Sequence, residues 1–285
     1  MKIFATGVAT LALAAFSATV LSDEAAAPEE TGPLASGNFS STLYLTNEYM
    51  FRGISNSDGP AVQGSMDWTY NGLFVGAWGS NAETSDANFE IDYYGGYRWS
   101  WSAVDFVLQG IYYTYPGEHS SFSEGLDVVG FEADYGEVNV GASHVFAGQL
   151  APTIGVNYFF SPDTYGEDGN NHVVQGSFGL SLPSEFGFYA NVGYSDVEGD
   201  NLSGSQLGIL QSNGTTLDGY DWVYFSVGVN KVVKGFKFDL GYHGTDESHD
   251  LETFYPTNVL QLTGEVEHPR DLIDGKFVFT VSRSF

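Results

Sequence analysis

Charged and amide side chains recur in this sequence at even spacings, with bulky apolar residues between them, and that spacing limits the chemistry they can do. Glu90, Asp92 and Arg98 are an even number of residues apart, as are Gln63 and Asp67, Asp105 and Gln109, and Lys237 and Asp239. Glu48 and Arg52 fall in phase with Thr42, Thr46 and Met50. On a strand, residues an even number apart share a face. The spacing therefore predicts rows of fixed charge, with Glu48 and Arg52 on one face of the first strand. Such rows act electrostatically, as charged rings do when they set ion preference in a channel. The same residues would otherwise form an ion-pair network that fills and stiffens a narrow interior without conduction. Arg52 and Glu90 both adjoin long polar connections, so they are expected at one end of the interior, where they can meet.

Other chemistries find less support. The chain has no cysteine, which removes thiol catalysis, thiolate metal sites and disulfides. Of the histidines, His144 falls on an apolar face, His243 on a polar one, and His119, His172, His249 and His268 in or beside connections. His119 and Ser120 are neighbours in sequence, but adjacency alone does not make a hydrolase site. The acidic loop from Pro162 to Gly169 lacks the ligand spacing of a calcium loop and reads as solvated. No catalytic residue, metal or cofactor is expected. A formal net charge of −27 makes nucleic acid a poor partner, since phosphate binding needs Lys and Arg. That charge instead draws small cations towards acidic loops, or reflects general acidity of the kind found in salt-adapted proteins.

The elements that must hold these rows are strands. Val62, Met66, Trp68 and Tyr70 interleave with Gln63, Ser65, Asp67 and Thr69, and Phe89, Ile91, Tyr93, Tyr97 and Trp99 interleave with Glu90, Asp92 and Arg98. Each segment thus has one greasy and one wet face, and no helical period is sustained after the first residues. An aromatic-rich outer face around a polar interior describes a barrel in lipid. Leu43, Leu45, Val62, Met66, Trp68, Ile91, Tyr93, Phe106, Leu108, Val223, Phe225 and Val227 are predicted to face lipid. A soluble ligand-binding barrel would put its bulky side chains inside.

Connections alternate in length. Short ones are read at Asn71-Gly72, Ser100-Trp101, Ala147–Ala151, Pro183–Phe186 and Lys231–Gly235. Long ones are read at Arg52–Gly59, Asn81–Asn88, Pro116–Gly130, Ser161–Asn171, Glu198–Gly219 and Thr245–Leu272. Asn-Gly is a favoured two-residue hairpin turn. The alternation implies an all-β, antiparallel, up-and-down transmembrane barrel of about twelve strands, with both chain ends on the short-turn side. Leu126–Phe146 reads as one strand or two, and Val259–Val266 as an extra strand pairing outside the membrane, which leaves fourteen strands as the alternative.

The ends of the chain carry separate signals. Residues 1–27 have one basic residue, an apolar stretch from Ile3 to Leu21 and small residues at Ala25 and Ala27, the layout of a secretory signal peptide. A membrane anchor is the competing reading, disfavoured by the acidic, proline-containing residues that follow. Residues 28–38 read as a disordered periplasmic lead-in and residues 39–285 as the barrel. Phe277, Phe279, Val281 and Phe285 share a face of the last segment, broken by Arg283. A last strand that closes in Phe resembles the signal read by the outer-membrane barrel insertion machinery, and Phe285 is the expected signal residue.

Phe51–Ser55 and Asp58–Gly64, followed by Trp78–Asn81, Glu90–Tyr97 and Tyr112–Gly117, resemble the opening signature of the TorF porin family. The resemblance is specific over Asn47–Gly117 and diffuse beyond. It implies an outer-membrane protein assigned as a porin by architecture, and it brings no substrate or catalytic residue with it. The expected function is passive diffusion of small hydrophilic solutes or ions across the outer membrane, with cations preferred. Glu48, Arg52, Gln63, Asp67, Glu90, Asp92, Arg98, Asp105, Gln109, Lys237 and Asp239 are the expected lumen residues. The main alternative is a non-conducting barrel whose long external loops bind a ligand, partner or surface.

Overall fold

A computed structural model describes residues 31–57, 59–82, 88–116, 133–165, 169–199, 219–246 and 272–285. Its strands in chain order are β1 (Phe39–Thr46), β2 (Met50–Phe51), β3 (Ile54–Ser55), β4 (Ala61–Tyr70), β5 (Leu73–Asn81), β6 (Phe89–Trp101) and β7 (Val104–Thr114). There follow β8 (Tyr135–Val145), β9 (Thr153–Ser161), β10 (Asn171–Leu182), β11 (Phe186–Val197), β12 (Tyr220–Val233), β13 (Phe236–Thr245) and β14 (Lys276–Ser284). All except β2 and β3 join one closed antiparallel barrel of twelve strands, each paired with its chain neighbours and closed by β1 against β14. A tilted strand needs about 9–11 residues to cross the hydrocarbon layer, and most wall strands reach that length.

Parity decides which side each residue takes. Leu45, Val62, Met66, Tyr93, Leu108, Val140, Val156, Val227, Leu240 and Phe279 point out and are exposed, Met66 to 74%. Their sequence neighbours point in and are buried or half-buried. Leu43 and all the other predicted lipid-facing residues lie on this outer face. The outward charges of the described strands, Asp196, Asp221, Lys231 and Arg283, sit at strand ends, where a lipid-facing charge costs about 0–1 kcal/mol rather than the 2–4 kcal/mol of the midplane. Aromatic girdles flank the apolar belt. Tyr97, Trp99 and Phe106 stack near the short turns, and Tyr158 with His172, and Tyr242 with Phe277, lie at the other end.

The tight turns follow from backbone sterics. Asn71 and Gly72 both adopt positive φ, the type I′ signature, and a Cβ at Gly72 would lie 2.5 Å from the Arg98 carbonyl oxygen. Two expected turns shift. The β6–β7 turn is Ser102-Ala103 rather than Ser100-Trp101, because Trp101 still pairs with Val104 and Ser102 takes the left-handed conformation. Lys231 stays in β12, and the next turn is Lys234-Gly235. The Leu126–Phe146 ambiguity resolves to one wall strand starting at Tyr135. Residues 1–30, His119, His249, His268, most of the longest connections and Val259–Val266 lie outside the described residues.

The largest departure from expectation lies at the first long connection. The first strand was expected to carry Glu48, Met50 and Arg52, but β1 ends at Thr46. The chain then forms β2 and β3, a two-stranded hairpin outside the wall ladder, and re-enters the wall at β4. Neither Glu48 nor Arg52 is therefore on the first strand.

Candidate functional site

The hairpin fills the long-loop half of the barrel interior. Its tip residues Arg52 and Gly53 take φ of +49° and +83°. A Cβ at Gly53 would fall 2.6 Å from the Gly244 carbonyl oxygen, so only glycine lets the tip press against β13. Around it a cluster of buried side chains includes Tyr49, Ile54, Trp78, Tyr113, Phe159 and Trp222, drawn from the hairpin and from wall strands around the barrel. Phe51 meets Tyr113 edge-on, and Tyr113 stacks on Tyr135 with ring centroids 4.5 Å apart.

Polar ties fix the hairpin at both ends. At the tip, Arg52 Nη2 donates to Glu137 Oε2 on β8 at 2.8 Å, and the Tyr113 hydroxyl donates to the same oxygen at 2.9 Å. Trp222 Nε1 donates to the Arg52 carbonyl at 3.0 Å, and the guanidinium also lies over the Phe51 and Phe159 rings. Burial opposes the Arg52 charge, but the Glu137 carboxylate outweighs it and holds the guanidinium above its ordinary range. At the base, Lys276 Nζ of β14 donates to Glu48 Oε1 at 3.1 Å, and the Ser55 hydroxyl donates to that oxygen as well. The expected meeting of Arg52 with Glu90 does not occur, because Glu137 takes the guanidinium.

The remaining residues of the expected set occupy inward positions on the wall. Glu90 and Asp92, 1% and 0% exposed, lie beside the hairpin base on β6. Gln63 and Asp67 lie on β4, and Asp67 accepts hydrogen bonds from Ser65 and Tyr94. Arg98 stacks over Phe74 at 3.7 Å, and Ser100 donates to Asp105 at 2.5 Å. Gln109 accepts from Asn139 at 3.5 Å. Lys237 and Asp239 approach to 3.8 Å, and the Tyr189 hydroxyl donates to Asp239 at 2.9 Å. The interior thus has two zones: a packed half under the long loops, and a half-exposed polar half towards the short turns.

Glu137, Lys276, Tyr113 and Trp222 were missed by the reading of the sequence. The alternation of Tyr135, Glu137 and Asn139 with Gly136, Val138 and Val140 was the available signal for Glu137, masked while the start of that strand stayed open. Among the described residues no three His, Asp or Glu side chains converge as a metal-ligand set.

A closed barrel with a lipid-type exterior, a polar interior and length-sorted connections defines the porin-like class of β-barrels. The chain belongs to the family described as bacterial protein of unknown function (Gcw_chp), whose model matches residues 30–285. No curated protein matches the chain. Among solved structures it is similar in fold to the NanC porin, with a TM-score of 0.50 at 11% identity, covering 86% of this chain and 98% of that one. A COG4313 outer membrane channel from Pseudomonas putida F1 matches with a TM-score of 0.44 at 12% identity, covering 92% and 100% of the two chains.

Proposed function

We propose that the protein resides in the outer membrane and passes small hydrophilic solutes by diffusion, with cations preferred and flow limited at the β2–β3 hairpin. The observation that carries this reading is a barrel whose outer face is apolar and whose inner face bears charged and amide side chains, half-exposed towards the short turns. A packed soluble barrel has no use for such an arrangement. Gln63, Asp67, Arg98, Asp105, Gln109, Lys237 and Asp239 line the wide part of the path, and Glu48, Arg52, Glu90 and Asp92 lie buried in the packing around the hairpin that narrows it. Inward carboxylates at Glu48, Asp67, Glu90, Asp92, Asp105, Glu137 and Asp239 outnumber the bases Arg52, Arg98, Lys237 and Lys276, and that excess favours cations. The TorF resemblance of Asn47–Gly117 supports the same reading, and residues 1–27 are read as the export signal.

The packing around the hairpin favours one second reading, a plugged barrel that works through its external loops. Planar-bilayer recordings separate the two. The channel reading expects small, steady conductance from the wild type and a several-fold rise when Asn47–Gly59 is replaced by a short Gly-rich link. It also expects a cation-signed reversal potential in a KCl gradient. That selectivity should fade with salt, since exposed charge is screened over about 8 Å at physiological ionic strength. A silent wild type with an open deletion variant identifies a plug, and an anion-signed potential refutes the cation preference.

A further inference from the structure

Four carboxylates among the described residues are buried: Glu48, Glu90, Asp92 and Glu137. Lys276 neutralises Glu48 at 3.1 Å and Arg52 neutralises Glu137 at 2.8 Å. Glu90 and Asp92 have no such partner among the described residues, although they are the most deeply buried of the four. They stand two residues apart on the inward face of β6, close enough to act directly on one another. Two like charges out of water, side by side, are strongly unfavourable, and the pair must either take up a proton or hold positive charge between them.

The unsatisfied oxygens point to what that is. Glu90 Oε2 and both carboxylate oxygens of Asp92 have no hydrogen-bond partner of good geometry among the described residues, and Glu90 Oε1 accepts a long bond, 3.4 Å, from the Tyr115 hydroxyl. The hydroxyl of Tyr49, at the hairpin base, is 94% buried as a residue and lies in the field of both carboxylates, yet makes no hydrogen bond of good geometry. Trp78 packs on the Tyr49 ring at 5.2 Å and walls one side of the group. Buried polar atoms in native proteins nearly all have partners, so four orphaned oxygens beside one another mark a missing one.

We propose that Glu90, Asp92 and Tyr49 bind one divalent cation of the calcium or magnesium type, which ties the hairpin base to β6. The donors are all oxygens, which suits a hard cation and disfavours zinc or copper. The two unpaired carboxylates carry the charge that such an ion balances. With only two carboxylates, water completes the coordination shell, as it does at many magnesium sites. The hairpin would then be held by three electrostatic ties, two from the chain itself and one from the medium. The site goes beyond the transport reading and stands whether or not the barrel conducts.

The test uses full-length protein refolded in detergent micelles and stripped with a chelator. CaCl2 is titrated by isothermal titration calorimetry, with MgCl2 as competitor, and the thermal midpoint is followed with and without calcium. One saturable site per barrel is expected, together with a higher midpoint when calcium is present. Outer-shell partners of a metal are already worth about 10–100-fold in affinity, so Asp92→Asn and Glu90→Gln should each weaken binding by at least about 10-fold. Glu198→Gln, which alters an exposed carboxylate at the rim, should bind as the wild type does. Mobility on unheated gels reports whether each variant has folded. If Asp92→Asn fails to fold, Tyr49→Phe carries the test, because it removes a neutral ligand and should still lower affinity. The absence of a saturable site overturns the proposal, as does affinity unchanged by these substitutions. A carboxyl pair that shares a proton instead would give a calcium-independent midpoint and an Asp92→Asn barrel as stable as the wild type, and that outcome also overturns it.

Discussion

Arg52 shows how a residue can be read correctly in kind and wrongly in place. Its even spacing from Glu48 suggested a shared strand face, and an inward charge is what both the spacing and the structure give. The strand, however, stops at Thr46, and Arg52 reaches the interior from a hairpin tip at positive φ. No local pattern in Phe51–Ser55 announces that turn, since arginine is an unusual occupant of the left-handed region. Its partner Glu137 lies 85 residues away, a distance that spacing rules do not bridge. Removing one member of a buried ion pair leaves the other uncompensated at a cost of about 3–5 kcal/mol. Because the hairpin is no part of the wall ladder, Arg52→Ala should spend that cost on undocking the hairpin and leave the barrel intact. Hydrogen exchange at Tyr49–Ser55 should rise by orders of magnitude while exchange in β6–β12 stays protected. Loss of wall protection to a similar extent would show that the hairpin is structurally inseparable from the barrel.

Among the elements, wall strands were the most legible because their pattern depends only on side-chain parity. β4, β6 and β14 alternate cleanly, and their boundaries agree with expectation to within a few residues. Turns were less so: Trp101 and Lys231 were taken into turns, whereas backbone pairing carries both strands further. The last strand merits a separate experiment. Phe285 exchanges backbone hydrogen bonds with Ser41, at 2.9 and 3.2 Å, and so forms the final rungs of the β1–β14 seam. Its ring lies outside, largely exposed, with Arg283 over it and over Phe236. Phe285→Ala keeps the rungs and removes the ring. Membrane yield in cells should fall several-fold in that variant, whereas urea midpoints of barrels refolded in vitro should shift little. Equal yields for the two proteins would rule out an insertion role for the ring.

At the scale of the whole molecule, the number of strands followed from the alternation of long and short connections, and the sign of the interior from which face carried the charges. What could not be read was the filling of the interior. Tyr49, Tyr113, Tyr135 and Trp222 resemble in kind the aromatics of the outer girdles, and only the closed geometry separates ring from plug. The outer register is open to a direct test. Spin labels at Leu43, Leu45, Val62, Met66, Tyr93, Leu108 and Val227 in reconstituted protein should be relaxed by oxygen far more than by a water-soluble nickel chelate, and labels at Asp67, Gln109 and Asp239 the reverse. A one-residue slip would exchange the two sets at every strand it affected. Nickel-dominated relaxation at the first set would overturn the register.

The ties of the hairpin also bear on timing. Glu48 is translated early, yet Lys276, its partner, follows 228 residues later, and Trp222, which binds the Arg52 carbonyl, follows that residue by 170. Contacts of such separation form last, after the intervening chain has been gathered in. Until β14 reaches β1, the Lys276 tie to Glu48 is missing, and the hairpin is held only by its contacts with earlier strands, such as Tyr49 on Trp78 and Arg52 with Glu137. The full set of hairpin ties is therefore complete only when the circle closes, so the last strand to arrive both seals the wall and locks what lies inside it.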